Sequence, residues 1–97
     1  MEIVLHVEKH NYHKVREVLL KDPVISLASI TFREAKALTG KDGYYCVISG
    51  IEEQCKKAME AAKDLAKEVE KEEKDKVINK IKEEEEAAKK GFGAIIG

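Results

Sequence analysis

The chain predicts an α+β fold, a split β-α-β sandwich, and three observations carry that expectation. Strand-like runs fall near residues 2–8, 24–32 and 44–49. Amphipathic runs at residues 12–21 and beyond residue 51 read as helices, in the order strand, helix, strand, strand, helix. Residues 51–90 are almost unbroken helix formers, far more than a domain of 97 residues needs for one helix.

In the first run Ile3, Leu5 and Val7 share one face, and Val4, His6 and Glu8 the other. Asn11 suits the cap of a helix in which Val15, Val18 and Leu19 recur at helical spacing, with Tyr12 one turn earlier. Asp22-Pro23 stops that helix, because a residue before proline is pushed out of the helical region. A second strand is expected from Val24, ending near Phe32 before a short helical turn. Thr31-Phe32-Arg33-Glu34 also fits a capping box for that turn. Asp42-Gly43 is a turn signal, Tyr44 to Ser49 is the clearest strand, and Gly50 breaks it.

On the long helical stretch Cys55, Ala58, Met59, Ala62, Leu65, Ala66 and Val69 form one apolar stripe. A straight helix over residues 51–90 would span roughly 60 Å, so it must project, bend or pack on a partner. The stripe stops at the charged residues 70–76, resumes weakly at Val77, Ile78 and Ile81, and ends before Gly91, a natural C-cap. Residues 1–69 therefore read as an α/β sandwich core, and 70–97 as a charged helical extension. Its apolar tail is expected to pack on the core or on a partner subunit. The order of elements is ferredoxin-like, with an over-long C-terminal helix and a terminal apolar segment. The fourth strand, next to the first, is expected from residues 92–96; a three-stranded sheet with a helical tail is the alternative.

In that architecture the first and third strands are expected side by side and parallel, with both helices on one face. Ile3, Leu5 and Val7 are assigned to the helices. The third strand offers Tyr44, Cys46 and Ile48 or Tyr45, Val47 and Ser49 to the opposite face, and either choice leaves it apolar. A solvated sheet face reads mostly polar, so a cover is expected. It is either the C-terminal segment folding back or the sheet of a second subunit. Val4, Tyr45, Val47, Phe92, Ile95 and Ile96 are the candidate oligomer interface.

Net charge is −1 with 38% charged residues, and Arg16 and Arg33 are the only arginines. That argues against a nucleic-acid binder built on a basic face. No leader and no membrane span are expected from the opening strand pattern, and two cysteines are too few for a secreted disulfide scaffold. Scarce Asn and Gln beside abundant Lys and Glu is the bias of hyperthermophile proteomes. A cytoplasmic protein is expected.

The chemistry-bearing residues are few. His6, His10 and His13 crowd one strand-to-helix junction, and with Cys46 on the face of His6 they would form a nitrogen and sulfur ligand set. No metal-finger spacing accompanies them, and a polar turn explains His10 and His13 equally. Cys55 stands in the first turns of the long helix, where the dipole favours a thiolate, yet it also begins the apolar stripe. The Gly40-Lys41-Asp42-Gly43 segment lacks Walker spacing and reads as a turn. The order of elements resembles the ACT-type regulatory modules; Lys9-His10-Asn11-Tyr12 stands where those carry a glycine-bearing turn, so the resemblance implies fold alone. The leading expectation is a non-enzymatic, self-associating α/β module, a structural or regulatory binding protein that forms a homo-oligomer. The alternatives are a small-molecule or metal sensor at the His6–His13 junction, or a thiol-dependent enzyme using Cys55. No cofactor, no nucleic acid and no membrane partner are expected.

Overall fold

Strand β1 (Glu2–Val7) leads through a 3-10 turn at Lys9–Asn11 into α1 (Tyr12–Lys21). A second 3-10 turn (Ile25–Leu27) precedes β2 (Ser29–Glu34), α2 (Ala35–Thr39) and β3 (Tyr44–Ser49). Then follow α3 (Glu52–Ala62), β4 (Ala66–Glu68) and α4 (Lys71–Ile96). The computed structural model describes the backbone of residues 1–96 and the side chains of residues 1–88. It is a small α+β domain whose four strands form one antiparallel sheet in the order β2-β3-β1-β4.

β1 and β3 are central neighbours, but antiparallel and not parallel. The reason is topological. The β1-α1-β2 crossover sets β1 and β2 parallel with a gap between them. β3 fills that gap after a short connection from β2, so it runs against both.

β2 begins at Ser29 and not at Val24. The Asp22 carboxylate accepts the N–H groups of Val24 and Ile25 at 2.8 and 3.0 Å, holding those residues in a turn. The strand then continues through Glu34, which pairs with Tyr44, so residues 31–34 are strand and not a capping box. Gly43 has φ of +91°, and a Cβ there would stand 2.5 Å from the Val7 carbonyl oxygen. The turn entering β3 therefore requires glycine.

The expected single long helix is two helices with a strand between them. Helix α3 ends at Ala62, and the Asn11 amide donates to the Leu65 carbonyl at 3.2 Å instead of capping α1. Ala66–Glu68 then pairs with the outer edge of β1, and the Val69 N–H bonds the Val4 carbonyl at 3.1 Å. Helix propensity is worth only tenths of a kcal/mol per residue. Pairing the exposed edge of a buried strand outweighs it. The fourth strand thus comes from residues 66–68, ahead of α4, and not from residues 92–96.

β1 and β3 are buried on both faces. Ile3, Leu5, Val7, Cys46 and Ile48 pack with Val15 and Leu19 of α1 and Cys55, Ala58 and Ala62 of α3. On the other side Val4, Tyr45 and Val47 pack under Ala35 and Leu38 of α2 and Val77 of α4, with Val69, Ile78 and Ile81 half-buried around them. The apolar second face is covered by the chain's own α2 and α4. Val77 is fully buried, whereas its neighbours Asp75 and Lys76 are exposed. Val77→Ala should cost about 1–3 kcal/mol of stability in urea melts, and Lys76→Ala less than about 0.5 kcal/mol.

Candidate functional site

Antiparallel register sorts the sheet into rows. On the α4 side, Arg33, Tyr45, His6 and Lys67 stand opposite one another across β2, β3, β1 and β4. The next row toward the other end holds Thr31, which is exposed, and Val47 and Val4, which pack under α2 and α4. The charged row thus lies at the end of the sheet where the Lys41-Asp42-Gly43 turn closes over it.

Tyr45 is the hub of this row. Its hydroxyl donates to the Glu73 carboxylate of α4 at 2.6 Å and accepts from the Thr39 hydroxyl at 2.8 Å. Its ring meets the edge of His6 with centroids 5.6 Å apart, and His6 donates through Nε2 to the Asp42 carbonyl at 2.7 Å. The Lys41 ammonium lies 3.0 Å from the same Glu73 carboxylate, and Arg33 pairs with Glu84 farther along α4. Burial first, then the Glu73 carboxylate, pushes the Tyr45 phenol up to about 12. The Tyr45 hydroxyl, then Lys41, holds Glu73 below its ordinary value.

A cleft of about 390 Å³ opens beside the row, lined by His6, Glu8, Asn11, Lys41, Lys63, Asp64, Leu65, Ala66 and Lys67. Among the described residues neither Lys63 nor Lys67 forms an ion pair. Lys41 also lines a second cleft of about 340 Å³, with Thr39, Tyr45, Glu70, Glu72, Glu73 and Lys76. The arrangement can attract a small anion and orient it by ammonium and amide donors.

The proposed ligand set of His6, His10, His13 and Cys46 is not brought together. Cys46 stands opposite Leu5, so it faces α1 and α3 while His6 faces α4. Burial pushes the Cys46 thiol up to about 12, which keeps it protonated. His10 is exposed beside Glu8, and His13 lies edge-on to Tyr12, which itself stacks on Tyr44. No group of three candidate ligands for a metal occurs among the described residues. Cys55 is fully buried, its thiol directed at the carbonyls of Met1 and Ile48.

Of the expected interface, Val4, Tyr45 and Val47 lie beneath α2 and α4. Phe92, Ile95 and Ile96 lie outside the residues whose side chains are described. Lys63, Lys67 and Glu73 were not singled out from sequence, and Lys41 entered only as part of a turn. The only signal for Glu73 was a carboxylate in a charged run that a buried tyrosine would need as partner. No described helix is long and apolar enough to cross a membrane. No family model, no curated protein and no solved structure matches this chain.

The two shifts set opposite pH limits. A raised phenol contributes fully below pH 10 and loses its contribution as pH rises toward about 12. That loss should be roughly 2–3 kcal/mol at 1.36 per unit, and Tyr45→Phe should lack it in pH-dependent urea melts. The Glu73 contribution is present above its ordinary value of 4.5 and disappears as pH falls through its lowered one. Glu73→Gln should flatten that acid limb.

Proposed function

We propose that the chain is a non-enzymatic α/β binding module, ferredoxin-like in its arrangement, whose ligand is a small anion bearing carboxylate or phosphate groups. The antiparallel sheet order supports the arrangement. The observation that carries the function is the cleft at the β1–β4 end, lined by Lys41, Lys63 and Lys67 and, among the described acidic residues, by Glu8 and Asp64 alone. Two of these ammonium groups have no carboxylate partner among the described residues. This reading keeps the small-molecule alternative at the strand-to-helix junction and drops the metal, since His6 and Cys46 are on opposite faces. Titrating inorganic phosphate and citrate against the amide NMR spectrum should give saturable shifts at His6, Lys63 and Lys67. The double variant Lys63→Ala, Lys67→Ala should weaken binding about tenfold, from two exposed contacts of roughly 0.7 kcal/mol each. No saturable shift up to about 10 mM of either anion would refute the reading.

Self-association is the second reading, and a separate surface supports it. At the opposite end of the sheet Met1, Leu27 and Ile51 are 58%, 79% and 61% exposed. The Met1 and Gly50 backbones exchange hydrogen bonds of 2.9 and 3.0 Å, and a Cβ on Gly50 would stand 3.0 Å from that of Ala28. Those contacts bring the backbones beside the three exposed apolar residues together at one end of the sheet, and exposed apolar patches mark contacts between proteins. Sedimentation should show a dimer or larger for the native chain and a smaller species for Leu27→Ser, Ile51→Ser. A native monomer at high micromolar concentration would remove this reading.

A further inference from the structure

We infer that an anion in the β1–β4 cleft competes with Glu73 for Lys41, and so loosens the hold of α4 on the sheet. The inference rests on the proposed anion site and adds its regulation. Among the described residues Lys41 is the one that lines both clefts. In the structure its ammonium is given to the Glu73 carboxylate, at 3.0 and 3.2 Å. A lysine is a compact charge on a flexible stem, so it can turn from one carboxylate to another anion without moving the backbone.

Glu73 is the first residue of α4 to grip the sheet. Its carboxylate is held by Tyr45 and Lys41, one turn before the buried Val77. Farther along, the helix relies on Ile78 and Ile81, both half-buried, and on the Arg33–Glu84 pair. When the cleft fills and Lys41 turns to the anion, Glu73 keeps the Tyr45 hydroxyl alone. Linkage then works in both directions: whatever affinity Glu73 subtracts from the anion, the anion subtracts from the seating of α4. The Lys41–Glu73 pair is half-exposed, which limits the coupling to about two- to fivefold.

The test is phosphate titration of the native chain, Glu73→Gln and Lys41→Ala, with amide exchange followed at residues 73–78. Glu73→Gln frees Lys41 and should bind phosphate about two- to fivefold more tightly than the native chain. In the native chain, saturating phosphate should speed exchange at residues 73–78 by a similar factor and leave α3 unchanged. In Lys41→Ala the same exchange should become independent of phosphate, which keeps the idea testable if Glu73→Gln perturbs folding. Phosphate binding with unchanged exchange in α4, or equal affinity in a folded Glu73→Gln, would overturn the coupling and leave the binding site standing. Absence of phosphate binding in all three chains would overturn both.

Discussion

Burial of β1 and β3 on both faces is the constraint from which the rest of the molecule follows. Ile3, Leu5, Val7, Cys46 and Ile48 need one apolar layer, and Val4, Tyr45 and Val47 need another. Each fully buried large side chain contributes about 1.5–3 kcal/mol, comparable with a sizeable share of a small domain's net stability. Leaving either face in water is therefore not an option for 97 residues. The layer of α1 and α3 satisfies one face. The chain must turn back for the other, and the break between Ala62 and Lys71 is where it does so. β4 in that break also closes the outer edge of β1.

The same constraint builds the candidate site. Period-two alternation places the odd residues of β1 under α1 and α3 and the even ones under α4. Val4 is covered by apolar residues, whereas His6, one row along, lies in a row with Arg33, Tyr45 and Lys67. α4 answers each part in kind, with Val77, Ile78 and Ile81 over the apolar row and Glu73 and Glu84 on the partners of the charged one. The helix thus seals the core through one row and pairs charges through the next.

Much of this was readable in the residues. The α+β class, β1, α1 and β3 followed from period and turn chemistry, and the apolar character of the second face signalled that something had to cover it. The break in the long helix was not readable, because Leu65, Ala66 and Val69 continue the helical spacing of α3. A three-residue strand is too short to show a period of two. The Asp22 turn delayed β2 through a side-chain contact that propensity does not encode. The metal grouping failed on parity: one residue of register separates the face of His6 from that of Cys46. Residues 70–76 offer nothing apolar and read only as the charged start of a helical extension, yet Glu73 is held against the sheet through the hydroxyl of a buried tyrosine. Apolar periodicity cannot detect a contact made by a carboxylate.

That α4 closes the sheet of its own chain is the central claim, and methyl NMR on a mixed-label sample reads it directly. One population would carry labelled valine methyls against a deuterated background, and the other labelled tyrosine rings. A third, doubly labelled sample, diluted into a large excess of unlabelled deuterated chain, would report contacts within one chain. The account predicts Val77-to-Tyr45 and Val77-to-Val4 contacts in the doubly labelled chain and none between differently labelled chains. Contacts appearing only in the mixture would mean that α4 covers a neighbour's sheet, and their absence from both samples would mean that α4 does not lie on this face.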